Sequence, residues 1–76
     1  MSNKFKKVYT VAQAKKDPRV VEMFFEIGNI EDGKKDWWIH LQEDYECVSM
    51  ECGTIHEQTV SACLDRLNND VVKISK

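Results

Sequence analysis

Two apolar, β-rich runs lie close together in this chain, and they limit its fold more than any other feature. The first, R-V-V-E-M-F-F-E-I at 19–27, is rich in β-branched and aromatic residues. The second, W-W-I-H-L-Q at 37–42, has the same character. Between them, 28–36 reads G-N-I-E-D-G-K-K-D, a polar stretch in which Gly33 after Asp32 signals a turn. Two such runs joined by such a loop predict an antiparallel hairpin. The first run has a helical rival, because Val21, Phe24, Phe25 and Gly28 also fit helical spacing. The strand is preferred, since Gly28 and Asn29 end the run and a hairpin partner follows.

The flanking sequence supplies helices and short strands. Residues 1–7 are polar and basic, with the composition of a flexible end. Thr10 and Gln13 have capping-box spacing, which predicts a helix over 11–16 that Asp17-Pro18 stops. A third extended segment spans 45–52 and closes at Gly53. Thr54-Ile55-His56-Glu57 is a second capping-box match, with Thr54 as N-cap and Glu57 reaching back. It predicts a helix over 55–68, on which Val60, Cys63, Leu64 and Leu67 form an apolar stripe. Asn68-Asn69-Asp70 ends that helix, and 71–74 reads as a closing edge strand. The expected fold is α+β in one domain, 1–76. A small antiparallel sheet of three to four strands carries the main C-terminal helix on one face, with a short N-terminal helix beside it.

The period of two sorts each strand into faces. Val21, Met23, Phe25 and Ile27, with Trp37, Ile39 and Leu41, are expected to meet the helix stripe as the core. The opposite face carries Val20, Glu22, Phe24 and Glu26, with Trp38, His40 and Gln42. At 76 residues the chain buries only about 60% of its unfolded surface, so one side of the sheet is expected to stay open. Phe24 and Trp38 then form an aromatic patch rimmed by Glu22, Glu26, Glu43 and Asp44, with His40 beside them. Exposed apolar patches with polar rims mark interaction sites. The competing arrangement lays the N-terminal helix over Phe24 and Trp38 as a second small core.

Charge decides the class of partner. The formal net charge is −2, and 22–57 is acidic, which disfavours nucleic acid and anionic membrane and favours a basic protein surface. Lys4, Lys6, Lys7, Lys15, Lys16 and Arg19 make a basic N-terminal quarter, the one candidate for phosphate contacts. There is no run of about 18 apolar residues and no signal-peptide core, so the expected compartment is the cytoplasm.

The three cysteines are expected as free thiols. Cys47, Cys52, His56 and Cys63 offer four zinc-ligand types, yet their spacing fits no common zinc template, and Cys63 falls in the apolar stripe. Cys52 and His56 lack a third orienting group for nucleophilic catalysis. His56 is expected on the core-side edge of the helix as a hydrogen-bonded structural residue. No phosphate loop, nucleophile elbow or H-E-x-x-H occurs. No cofactor, metal or catalytic residue is expected.

The segment D-W-W-I-H-L (36–41), the following Tyr-Glu-Cys and T-I-H-E-Q-T (54–59) resemble small uncharacterised proteins of bacteriophage and prophage origin, over 36–68. The resemblance implies an accessory role, binding and blocking a host protein in the host cytoplasm. With the residue reading, it gives the expectation of a non-enzymatic protein-binding module. Such a module acts as a phage-type inhibitor that occludes a basic surface of a nucleic-acid-handling or defence protein. The alternatives are a homodimeric structural domain that buries the same aromatic face on itself, and a small zinc or nucleic-acid module.

Overall fold

The hairpin is the spine of a computed structural model that describes residues 6–29, 31 and 33–74. The elements in chain order are α1 (Val11–Lys16), β1 (Val20–Asn29), β2 (Lys34–Leu41), β3 (Tyr45–Cys47), β4 (Thr54–Glu57), α2 (Val60–Asn69) and β5 (Val71–Lys73). β1 and β2 pair antiparallel, with Met23 opposite Ile39, Phe24 opposite Trp38 and Phe25 opposite Trp37. Gly33 sits in the connecting turn at φ +66°, a left-handed backbone that glycine adopts without penalty. β4 pairs with the other side of β2, giving the order β1-β2-β4, and β3 and β5 form a separate two-stranded sheet. The α+β architecture expected from the sequence is present.

One expectation is overturned at T-I-H-E. Thr54–Glu57 is not the first turn of a helix but the third strand of the main sheet, with Ile55 opposite Ile39 and His56 opposite Trp38. The alternation T-I-H-E puts Ile55 fully inside and leaves His56 outside. Pairing also satisfies the second edge of β2, whose backbone groups otherwise lack partners. α2 starts at Val60 instead, where the Thr59 Oγ1 accepts the Ala62 N–H at 3.1 Å. Thr59 gives the same N-cap chemistry as Thr54 without an acid three residues on. The predicted strand at 45–52 shortens to Tyr45–Cys47, because the chain turns at 48–51 and returns to a lone bridge between Cys52 and Cys47. Glu51 takes a left-handed φ of 53° in that turn.

α1 forms where the sequence places it. Thr10 Oγ1 accepts the Gln13 N–H, and Gln13 Oε1 accepts the Tyr9 N–H. Asp17 then leaves the helix in an extended conformation ahead of Pro18.

The core gathers Met23, Ile39 and Ile55 from one side of the sheet with Ala14 of α1 and Cys63, Leu64 and Leu67 of α2. Both helices therefore pack on the same side. Each fully buried aliphatic side chain contributes about 1.5–3 kcal/mol. Two details differ from the period-two expectation. A register irregularity between Val20 and Glu22 turns Val20 inward and leaves Val21 56% exposed. Phe25 and Ile27 are on the core side by alternation but extend past the helices toward the hairpin tip, 47% and 58% exposed.

Polar clamps tie the layers together. Arg19, which reads as part of a basic arm, is buried and grips both carboxylate oxygens of Asp17 through the Nε and Nη2 edge of its guanidinium, at 2.9 and 2.8 Å. Its third nitrogen donates to the Leu67 carbonyl at 3.0 Å near the end of α2. Asn68 exchanges two hydrogen bonds with the Val8 backbone, both 2.8 Å. Asp70 accepts from the Ser49 N–H, the Cys47 thiol and Arg66. Among the described residues, no helix is long and apolar enough to cross a membrane.

Candidate functional site

The side of the sheet facing away from both helices is built by three strands in register. Phe24 of β1, Trp38 of β2 and His56 of β4 stand opposite one another in one row. The Phe24 and Trp38 rings are near parallel, 10° apart with centroids at 6.4 Å, and His56 stacks on the indole at 4.1 Å. His40 meets Phe24 edge-on at 5.2 Å. Cross-strand placement does this work: alternate residues share a face, and the register sets which ones touch.

Carboxylates surround the row. Glu22 Oε2 lies 2.9 Å from His40 Nδ1, and Asp36 Oδ1 lies 3.5 Å from His56 Nε2. Glu26 stands opposite Asp36. Lys34, at the far end of β2, shares this face by alternation. Gly28 makes room for the Asp36 carboxylate, since a Cβ there would sit 2.5 Å from Asp36 Oδ2. A side chain at 28 would push that carboxylate off its place beside His56.

The residues named from the sequence are distributed as follows. Glu22, Phe24, Glu26, Trp38 and His40 come together on this face. Glu43 and Asp44 do not join that register. They are exposed in the turn after β2, where the Asp44 carbonyl accepts the Ile74 N–H at 2.7 Å. The N-terminal helix does not cover Phe24 and Trp38, because Ala14 and Val11 pack with the core on the other side. Both rings keep partial exposure at the sheet centre.

Two residues of the face escaped the sequence reading. The sequence pattern puts His56 on a helix edge and Asp36 in the loop. The signal for His56 was the alternation in T-I-H-E, outweighed by the capping-box spacing of the same residues. One further feature has no sequence signature: the Trp38 indole Nε1 is buried and has no hydrogen-bond partner among the described residues. Such an orphan donor costs about 1–3 kcal/mol.

The cysteines are dispersed. Cys47 and Cys63 are buried, Cys52 is exposed, and His56 lies on the opposite side of the sheet from Cys63. The Cys63 thiol donates to the Trp37 carbonyl, and burial pushes its pKa up to about 11. Burial likewise raises the Cys47 thiol. No group of three or more potential metal ligands occurs among the described residues.

No family model, curated protein or solved structure matches this chain. Two aromatic rings, two imidazoles and three carboxylates offer stacking surface and hydrogen-bond acceptors. Thr54 of β4 shares this face and stands opposite His40 in the register.

Proposed function

We infer that this protein is a non-enzymatic module that holds a basic segment of another protein against the outer face of its sheet. The observation behind this reading is the Phe24–Trp38–His56 row set among Glu22, Glu26 and Asp36, on the side away from both helices. An arginine guanidinium stacks on an indole or phenyl face and donates to carboxylates in the same plane. Each stacked contact is worth about 0.5–2 kcal/mol, and each exposed ion pair about 0.2–1 kcal/mol. Several such contacts are needed for a stable complex, and the face offers several. Where the basic segment normally grips nucleic acid, binding here blocks it, which is the inhibitory role the phage-type resemblance implies.

The test uses a fluorescent oligo-arginine peptide and fluorescence anisotropy. Binding should weaken as salt rises, because the contacts are exposed and screened. Trp38→Ala, and separately Glu22→Lys with Glu26→Lys, should each weaken it by about tenfold, or ~1.4 kcal/mol, with circular dichroism unchanged. Equal affinity in wild type and both variants refutes the reading.

A further inference from the structure

The geometry points to strand addition at the free edge of β1, with a basic, amphipathic extended peptide as the occupant. This rests on the reading above and specifies the form of the partner.

β1 is a terminal strand of the β1-β2-β4 sheet. Among the described residues it pairs with β2 alone. It is also the longest strand, at 10 residues. Alternate residues of a terminal strand direct their N–H and C=O groups away from the sheet, where they template a further strand. Residues 22–28 offer ~23 Å of such edge at ~3.3 Å per residue.

The two faces beside this edge differ in chemistry, and the difference specifies the peptide. On the outer side stand Glu22, Phe24 and Glu26. On the inner side, toward the hairpin tip, Phe25 and Ile27 are 47% and 58% exposed. Phe25 packs against Trp37 at 5.1 Å, and the Lys35 ammonium caps its ring at 4.8 Å. A strand laid along β1 therefore meets Glu22, Phe24 and Glu26 with every second side chain and apolar surface with the others. Arginine or lysine alternating with valine or isoleucine fits both sides at once.

A second copy of this chain fits poorly. Self-pairing through β1 gathers Glu22 and Glu26 of both copies on one face of the joined sheet. Like charges at a strand junction are unfavourable, and charged residues on a terminal strand are a common barrier to self-association.

The experiment compares peptides of about eight residues on the full chain: alternating Arg-Val, alternating Glu-Val, and oligo-arginine. Two further Arg-Val peptides carry N-methyl groups on all odd or on all even residues. Strand addition needs only the amides facing β1, so one methylated peptide should lose binding by about tenfold or more while the other retains it. The Arg-Val peptide should also bind more tightly than oligo-arginine, and the Glu-Val peptide should not bind. Equal tolerance of both methylation patterns, with oligo-arginine still bound, overturns strand addition and leaves the basic-partner reading standing. If neither basic peptide binds, both fall. A concentration-dependent dimer by light scattering, strengthened by Glu26→Ala and not competed by the Arg-Val peptide, overturns the proposal in favour of self-pairing.

Discussion

Asp17→Ala is expected to come close to unfolding this protein. The Asp17 and Arg19 side chains are each only 4% exposed, and the carboxylate accepts three hydrogen bonds from Arg19, including its backbone N–H at 2.8 Å. Removing the carboxylate takes three hydrogen bonds and the opposite charge away from a buried arginine. Breaking one partner of a buried pair costs about 3–5 kcal/mol. A chain of 76 residues has about 4–11 kcal/mol of total stability. With an unfolding entropy of about 0.16 kcal/mol/K for this length, the loss corresponds to a Tm drop of about 20–30 °C. Differential scanning calorimetry reads it directly.

The double variant Asp17→Ala, Arg19→Met is the control. It removes both charges and leaves the Leu67 carbonyl and the Arg19-position N–H short of a partner, at about 1–2 kcal/mol. The double variant should therefore melt well above the single one. A drop below about 6 °C for Asp17→Ala, or a double variant as unstable as the single, refutes the reasoning. The pH dependence follows the same pair. Burial pushes the Asp17 carboxyl upward, but hydrogen bonds from the Arg19 side chain and backbone, and its charge, outweigh this and hold the group below its ordinary value. The pair's stabilisation is thus complete above about pH 4, the unfolded value, and is lost as pH falls through the lower folded value.

Three further outcomes follow from the same geometry. Asp70 is held at about 2, chiefly by its hydrogen bond with Ser49, so the β3–β5 junction should loosen as pH falls from about 4 toward 2, and Asp70→Asn should remove that acid step from hydrogen-exchange profiles. Cys52 should react alone with a thiol reagent in the native state, with Cys47 and Cys63 modified only after denaturation; mass spectrometry of the alkylated chain checks this. Trp38→Phe deletes the orphan indole N–H, so Tm should stay the same or rise while affinity for the arginine peptide falls.

The parts of the fold legible in the sequence are those with a local code. The hairpin shows in its alternation and composition, α1 in Thr10 and Gln13, and the α2 stripe in Val60, Cys63, Leu64 and Leu67. The losses came where one local pattern admits two structures. T-I-H-E fits both an N-cap and a strand, and only the free edge of β2 decides between them. That edge is set by residues far away in the chain. The irregularity at Val20 likewise answers to packing, since a single offset exchanges which valine is buried. Arg19 pairs locally with Asp17, two positions away, but its burial also rests on the Leu67 carbonyl 48 positions on, which no local pattern reveals. The candidate face is legible for β1 over 22–26 and for β2, where the alternation holds. It is not legible for β4, whose T-I-H-E also fits a helix N-terminus.

The distribution of ring surface bears on why that face exists. Among the described residues, the largest fully buried side chains are Ile39, Ile55, Leu67, Cys47 and Cys63, with no aromatic ring among them. A phenylalanine or tryptophan buries about 150–250 Å² when enclosed, more than any aliphatic side chain. A chain of this length has little apolar area to spend on stability. Here Phe24 and Trp38 stand on the side of the sheet away from both helices, and Phe25 extends beyond them. Enclosing these rings would stabilise the fold more than the present arrangement does. Their placement suits the strand-shaped partner proposed here: rings to stack on, carboxylates on one side, and apolar surface on the other. Exposure that costs the isolated chain stability becomes burial once such a partner docks, so peptide binding should raise Tm in proportion to RT ln(1 + [L]/Kd).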